Sequence, residues 1–365
     1  VRRSVEDFPL YYERLVSRDG TVTLLIVEML DESIAERTYG DLMQALSGIA
    51  LPSQVQLHVA GEGAVSGYLG SYVDQDAQRL APGAALVIIG IIILAFGRLL
   101  PALLSIAIML STVGITLGTM AAQGVPFYVI TSALPVILIG ISVADAIHVL
   151  SHYFQLQESQ PGRSNRELIV EAMVTMWRPI TLTSLTTIAG FLGLYFAAYM
   201  PPFRSFGLFA ALGVSIAWLY SLVFFPAAMS LTNPRFRPGY AGGEQSGGWT
   251  RTVLRSICSF TLRRSSLILV TFFAVVLLGV SSAIQLEVDD DPIKVFRSDE
   301  PLAIADGVLN RNTVGSNTLD IVIETDVQEG LFDPARLKKI EALQDYAATL
   351  PFVGGSLSIV DFLKQ

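Results

Sequence analysis

The chain has 365 residues, of which 52% are hydrophobic and only 15% are charged. Soluble domains usually carry about 25% charged residues. The formal net charge of −8 argues against nucleic-acid binding, which needs a basic surface. The single cysteine, Cys258, excludes a disulfide within the chain.

The acidic residues are concentrated at the two ends of the sequence. Twelve of the 32 lie in residues 1–81 and fifteen lie in residues 285–365, so only five remain for the long apolar centre. The chain begins with Val1, without a signal peptide, and stops at Gln365 within sequence of soluble character. We therefore interpret it as an internal fragment of a longer protein.

The first acidic flank predicts a strand, a helix and a second strand. Residues 21–30 (TVTLLIVEML) are rich in β-branched side chains, which favour strands. A helix is expected near residues 38–49 and another strand near residues 55–60.

Six apolar stretches are long enough to cross a membrane. A transmembrane helix needs about 20 apolar residues. Buried helices of a soluble protein are the alternative, but six such stretches in succession disfavour it. We predict spans at residues 82–98, 101–122, 127–151, 179–199, 204–231 and 264–285.

The arginines predict how these spans are oriented. Six spans return both flanks to one side of the membrane, and the connections on that side carry only Arg204. Arginine-rich connections usually stay in the cytoplasm. We therefore expect a multi-pass protein of the bacterial inner (plasma) membrane with both flanks outside. The connections on the other side carry Arg98, Arg163, Arg166, Arg178, Arg235, Arg237, Arg251, Arg255, Arg263 and Arg264.

The third span contains Asp145, the only acid within the predicted spans. A carboxylate inside a bilayer costs a few kcal/mol, and such residues often mark proton or ion paths. Helical spacing places His148, His152 and Ser142 on the same face. Because histidine titrates near neutral pH, we predict a proton relay through Asp145 and His148. A structural role for Asp145 and an interfacial position for His152 are the alternatives.

A metal site is a further use of this stripe that the sequence disfavours. Asp145, His148 and His152 have a spacing that permits shared coordination. However, His58 is the only other histidine and lies in a flank, and no other span offers a mid-membrane ligand. We therefore predict neither a metal nor a cofactor.

The fourth span adds hydroxyl groups to the candidate relay. Thr183, Thr186, Thr187 and Gly190 fall on one helical face. Their hydroxyls can bond to a neighbouring helix or to a carboxylate, so Thr186 and Thr187 are predicted relay residues. The alternative is hydrogen bonding to their own helix.

Several glycines in the spans predict close helix packing. Gly190 and Gly193 lie in the fourth span, and Gly114 and Gly118 form a GxxxG pair in the second.

The cytoplasmic connections predict two further helices and a linker. Residues 164–177 suit a short amphipathic helix opened by a Ser164–Glu167 capping box. Residues 233–248 are rich in glycine and proline, which predicts a flexible linker. The next segment suits either an interfacial helix or a loop. Its apolar residues are Trp249, Val253, Ile257 and Phe260.

The second flank repeats the strand and helix pattern of the first. Residues 318–324 (TLDIVIE) predict a strand. Asp333 suits a helix N-cap, with Pro334 in the first turn of a helix that extends to about Leu350. Both flanks therefore predict a related α+β unit.

Three stretches of the centre resemble the resistance-nodulation-division (RND) superfamily. The resemblance is closest to its lipid-exporter branch, the MMPL-type proteins, which share a sterol-sensing-like five-helix unit with Patched. GISVADAIHVLSHY (140–153) resembles the fourth transmembrane helix of that family, and RPITLTSLTTIAGFLGL (178–194) resembles the fifth. PPFRSFGLFAALGVSIAWLYSLVFFPAAMSL (201–231) resembles the sixth.

The resemblance covers the whole chain and implies its domains. Family members have twelve transmembrane helices in two repeats, each with a large external porter domain. The implied parts are the end of the first porter domain (1–80), a five-helix unit (81–231), a cytoplasmic linker (232–263), a sixth helix (264–285) and the start of the second porter domain (286–365).

The resemblance also implies a function. Family members export hydrophobic or amphiphilic molecules with the proton gradient, coupled through an acid on the fourth helix. Many carry two adjacent acids there, whereas this chain has Ala144 before Asp145. A secondary active transporter of lipids, not an enzyme, is thus expected. Its partners would be membrane lipids, the rest of the polypeptide and, in an oligomer, further copies. A lipid-sensing regulator and a metal-dependent membrane hydrolase on Asp145 and His148 are the alternatives.

Overall fold

Long apolar segments satisfy their backbone hydrogen bonds internally by forming helices, and helices dominate this chain. The computed structural model describes residues 15–29, 34–96, 99–232, 234, 248–286 and 291–364. The α-helices of these residues are α1 (Ala35–Ser47), α2 (Glu62–Phe96), α3 (Leu99–Ala122), α4 (Leu134–Ser159), α5 (Asn165–Ala197), α6 (Pro201–Leu222), α7 (Phe224–Thr232), α8 (Gly248–Arg263), α9 (Ser265–Ala283), α10 (Pro301–Asn312), α11 (Pro334–Ala348) and α12 (Ile359–Leu363). Short 3-10 helices cover Val129–Ala133, Pro292–Val295 and Gly330–Phe332.

The chain divides into two compact units. One combines both ends of the sequence, Val1–Ser71 and Val288–Gln365, and the other contains Tyr72–Glu287. The six predicted spans are confirmed as helical stretches long and apolar enough to cross a membrane. These stretches are Glu62–Leu94, Leu99–Ala122, Val129–Ser159, Asn165–Ala197, Pro201–Thr232 and Ser265–Ala283.

Two helices extend further than their predicted spans because proline does not end them. Pro82 and Pro179 each lie inside a helix, α2 and α5 respectively. Helix α5 therefore unites the predicted amphipathic segment 164–177 with the fourth span, and the prediction of a separate short helix was wrong. A proline removes only one backbone donor, the one that would bond the carbonyl four residues earlier. Thr183 Oγ1 bonds to its own helix and donates to the carbonyl of Pro179 over 2.9 Å.

One of the two hydrogen bonds of the predicted capping box forms at the start of α5. The side chain of Ser164 accepts a hydrogen bond from the backbone N–H of Glu167 over 3.3 Å. The carboxylate of Glu167 pairs with Arg163 Nε at 3.3 Å. Arg163 also contacts Glu171 and Gln160, which joins the connection between α4 and α5 to the first turns of α5.

The fifth span is broken near its end. Helix α6 stops at Leu222 and α7 begins at Phe224, so that Pro226 lies in the first turn of α7. This position suits proline, because the first N–H groups of a helix have no partner within it. The Gly- and Pro-rich linker predicted at 233–248 lies outside the described residues, apart from 234 and 248.

The core of the membrane unit is formed by α3, α4, α5 and α6, with α7 packed against them. Helix α6 approaches the backbone of α5 at Gly207, where a Cβ atom would lie 2.7 Å from the carbonyl oxygen of Phe191 and 2.8 Å from the nitrogen of Tyr195. Gly213 approaches the side chain of Leu138 in the same way. Because both glycines lack a side chain, α6 can lie directly against α5 and α4.

The glycines expected to allow close packing are not at these contacts. Added Cβ atoms at Gly114, Gly118, Gly190 and Gly193 would meet no atom within 4 Å. The helix faces that carry them are turned away from the neighbours described in this chain. The packing prediction for these four glycines is therefore not met within the described residues.

The last turns of α4, the start of α5 and the end of α7 are joined by polar contacts. The buried Tyr153 of α4 donates its hydroxyl to Asn165 Oδ1 over 2.7 Å and to the carbonyl of Pro234 over 3.0 Å. Asn165, the first residue of α5, donates to the carbonyl of Met229 in α7 over 3.2 Å. These bonds hold the end of α7 against the connection between α4 and α5.

The other unit joins the two flanks of the sequence. Helix α1 packs on the start of α2, where Gly67 leaves room for the Tyr39 side chain. From the next position of α2, the Tyr68 hydroxyl donates to Glu300 over 2.7 Å, and its ring lies 5.4 Å from that of Phe296. An even number of spans predicts that both flanks share one side, and a single unit containing both agrees with this.

The predicted strands of the flanks are not formed within the described residues. Residues 24–29, 55–60 and 318–324 form no sheet within the described part of the chain, where the only β-bridge joins Val16 to Thr23. A strand needs a partner for its ladder hydrogen bonds, and the described flanks supply none. The predicted N-cap of α11 is confirmed, since the Asp333 side chain accepts from the N–H of Ala335 over 3.0 Å.

Candidate functional site

Asp145 lies near the middle of α4 and is enclosed by the helix bundle. Its side chain is only 7% exposed. The neighbouring positions Ser142, Ala146 and Val149 are completely buried, so this face of α4 points into the core of the membrane unit. An acid in this place must be neutral, paired or hydrogen-bonded, because an isolated charge in an apolar interior is very costly.

The hydrogen-bond partner of Asp145 comes from α5. Ser184 Oγ donates to Asp145 Oδ2 over 3.4 Å, and Ser184 is itself only 4% exposed. Two consecutive helices, α4 and α5, are thus linked through a carboxylate. At 3.4 Å, the distance between these two oxygens is long for a hydrogen bond between oxygen atoms.

Sequence reasoning missed Ser184, although a signal for it existed. The buried residues of α5 follow a four-residue spacing through Leu168, Ala172, Ile180 and Ser184. The division of α5 into two helices interrupted this register at Pro179. Once α5 is read as one helix, the amphipathic face of its first turns leads directly to Ser184.

The predicted relay threonines do not contact Asp145 in this structure. Thr186 is exposed and donates to the carbonyls of Leu182 and Thr183 over 3.0 and 2.9 Å. Thr187 is half-buried and donates to the carbonyl of Thr183 over 2.8 Å. Both hydroxyls therefore follow the alternative considered for them, bonding to their own helix, and a part in proton transfer stays a prediction.

The histidines of α4 lie along the helix beyond Asp145. His148 is exposed from the bundle and is close enough to Asp145 to interact electrostatically. His152 is half-buried one turn further on. Within the described ranges, no three histidine, cysteine or acidic side chains gather in a group that could hold a metal ion.

Further hydroxyl groups are buried between the helices. Thr112 of α3 and Ser221 of α6 are completely buried, and their hydroxyls have no hydrogen-bond partner among the residues that the structure describes. Thr116 of α3 and Ser142 of α4 are buried as well and bond to their own helices. The interior of the bundle is therefore more polar than the hydropathy of its spans indicates.

The six candidate spans agree with a comparison against known protein families. The model of the MMPL family matches residues 1–259. The chain belongs to the MMPL family. It is a multi-pass membrane protein of that family, as the six helical stretches also indicate.

Curated relatives of this MMPL chain include transport proteins. The Probable transport protein MmpL11 of Mycobacterium bovis and the Heme uptake protein MmpL11 of Mycobacterium tuberculosis are each 27% identical to it over 187 residues. The match covers 50% of the chain and 19% of each relative. The chain thus spans about a fifth of the length of these relatives.

A human relative and a solved structure show more partial similarity. Protein patched homolog 2 of Homo sapiens is 33% identical over 116 residues, which cover 32% of this chain and 9% of that protein. SecDF, a translocon-associated membrane protein from Thermus thermophilus, matches 57% of this chain and 28% of its own, with 21% identity and a TM-score of 0.45.

Proposed function

We propose that this MMPL chain is part of a transporter that exports lipids or other hydrophobic compounds with the proton gradient, coupled through Asp145. The observation that carries the proposal is the enclosed carboxylate of Asp145 and its contact with Ser184 on a second helix. Protonation removes a charge from the membrane interior, and the resulting change in free energy can shift a helix pair between two arrangements.

In the proposed orientation, α4 runs from the outside towards the cytoplasm. His148 and His152 then lie on the cytoplasmic side of Asp145 and would receive the proton that it releases. Helix α5 runs in the opposite direction, so that Thr186 and Thr187 lie on the outer side of Ser184 and would pass protons inwards. The gradient would thereby drive protons through Asp145 while substrate moves out.

The flanks would form part of extracytoplasmic α+β porter domains. Segments 24–29 and 318–324 expose large apolar side chains, among them Leu25 at 89% and Val322 at 84%. Such segments are stable when a further strand pairs with them. We expect the pairing strands to come from the remainder of a full-length protein.

Hydrophobic molecules are the substrate class that this proposal favours. One relative is named as a transport protein and another as a heme uptake protein, so the direction of transport needs a direct measurement. A lipid sensor that binds without pumping is the competing function. A protonophore that collapses the proton gradient should stop transport by a pump but should leave lipid binding by a sensor unchanged.

The test compares Asp145→Asn with the unchanged full-length protein in vesicles. We expect the variant to insert normally and to lose transport of a fluorescent phospholipid driven by a pH gradient, because asparagine cannot exchange a proton. Movement of the phospholipid is followed in both directions, with a pH-sensitive dye inside the vesicles. Glu158→Gln is the matched control, since Glu158 is an exposed acid on the same helix. Undiminished gradient-driven transport by Asp145→Asn would refute the coupling role.

A further inference from the structure

Helix α8 (Gly248–Arg263) is amphipathic and has no cover from the described parts of the chain. The side chains of residues 252–263 are all exposed. Val253, Leu254, Ile257 and Phe260 lie within one third of the helix circumference and are between 38% and 62% exposed. An apolar stripe of this kind on a short helix requires an apolar surface to bury it.

The opposite side of α8 is polar and positively charged. Thr252, Arg255, Ser259 and Arg263 recur at helical spacing on this side. No acidic residue occurs between Glu244 and Glu287, so the arginines in this region lack local counter-charges in the sequence. Arginine binds phosphate through paired N–H donors, which makes a phosphate-rich surface the natural complement of this side.

The position of α8 identifies which surface is available. The sixth candidate span begins at Ser265, directly after Arg264. Arg264 has φ −120° and ψ 29°, outside the helical region, and the chain can change direction there. A helix joined by one residue to a membrane span stays at the membrane boundary, where apolar chains lie beneath charged headgroups.

We propose that α8 is a binding surface for anionic phospholipid headgroups, with its apolar stripe inserted at the membrane boundary and its arginines on the lipid phosphates. The length of the helix, its uncovered apolar side and its excess of arginine all fit this occupant. Anionic membranes attract basic segments with roughly 1 kcal/mol per arginine, so the bound fraction should depend on headgroup charge. This property is separate from transport through Asp145.

The experiment uses nitroxide labels on the full chain reconstituted in vesicles. Cys258, the single cysteine, is replaced by serine, and a label is placed either by Ile257→Cys on the apolar stripe or by Ser259→Cys on the polar side. Frequent collisions with oxygen show that a label lies in lipid, and frequent collisions with a water-soluble nickel chelate show that it lies in water. The vesicles contain phosphatidylcholine with or without phosphatidylglycerol.

In vesicles with phosphatidylglycerol, we expect the label at 257 to collide mainly with oxygen and the label at 259 to collide mainly with the nickel chelate. Arg255→Gln and Arg263→Gln should each lower the ratio of membrane-inserted to uninserted α8 about fivefold. This factor corresponds to the loss of one arginine near the surface. The matched control is Arg166→Gln, an exposed arginine at the start of α5, which should leave both labels unchanged.

Three results would overturn the proposal. Equal insertion in both kinds of vesicle would show that headgroup charge is not recognised. If the label at 257 collides mainly with the nickel chelate in both kinds of vesicle, the apolar stripe stays in water. A label at 257 shielded from both reagents would show that protein, such as a second copy of the chain, covers α8.

Discussion

The contact between Asp145 and Ser184 is the one side-chain contact that the proposed transport mechanism depends on most directly. Composition alone identified the acid, because a single carboxylate among long apolar spans stands out in any sequence. Its partner depends on the rotation of α5 about its own axis. That rotation turns Ser184 inwards, while Thr186 is exposed.

Removal of the Ser184 hydroxyl should therefore impair transport more than removal of either threonine hydroxyl. We expect Ser184→Ala to lower the gradient-driven transport rate about tenfold, because the buried carboxylate loses a hydrogen-bond donor. Ser184→Thr should restore most of the rate, since it retains a hydroxyl. The measurement is the initial rate of transport in vesicles of the full-length protein.

Thr186→Ala and Thr187→Ala serve as the comparison on the same helix. Their hydroxyls bond to carbonyls of α5 and not to Asp145, so each substitution should lower the rate less than Ser184→Ala does. A large loss with either threonine variant and none with Ser184→Ala would reverse the order of importance proposed for these hydroxyls.

At the scale of the elements, proline and glycine decided where the helices end and meet. The sequence pattern treated Pro82 and Pro179 as boundaries, but both lie inside helices whose remaining hydrogen bonds outweigh one lost donor. Pro226 does begin an element, since it lies in the first turn of α7. Which behaviour a proline shows depends on the packing around it, and the local sequence does not reveal that packing.

The close contact between α5 and α6 predicts a sharp difference between two glycines. Gly207→Ala should lower the midpoint of thermal denaturation in detergent, because its methyl group would meet backbone atoms of Phe191 and Tyr195 that cannot move aside. Overpacking of this kind costs about 1–3 kcal/mol. Gly193→Ala, in open space, should leave the midpoint unchanged or raise it slightly. Equal effects of the two substitutions would mean that α5 and α6 do not pack through Gly207.

At the scale of the whole molecule, the even number of spans predicts the topology. Six spans would return the chain to the side where it started, and the occurrence of both acidic flanks in one compact unit agrees with this. The uneven distribution of arginine then predicts which side is cytoplasmic.

The single cysteine permits a direct test of this topology. Cys258 is exposed on α8 and should react with a membrane-impermeant maleimide only after cells are permeabilised. Tyr199 is 99% exposed between α5 and α6. Tyr199→Cys in a Cys258→Ser background should therefore react in cells whose plasma membrane is intact and whose outer layers have been removed. The opposite labelling pattern would contradict the proposed orientation of every span.

The sequence by itself determined the number of spans, the position of the buried acid and the first turns of α5 and α11. These are local properties: a bilayer demands the same apolar length from every helix, and a cap needs only its own few residues. The tertiary structure alone decided that Ser184 meets Asp145 and that Gly207 and Gly213, not the other glycines of the spans, form the close contacts. These outcomes depend on how each helix is rotated against its neighbours, and that rotation follows from the packing of the whole bundle.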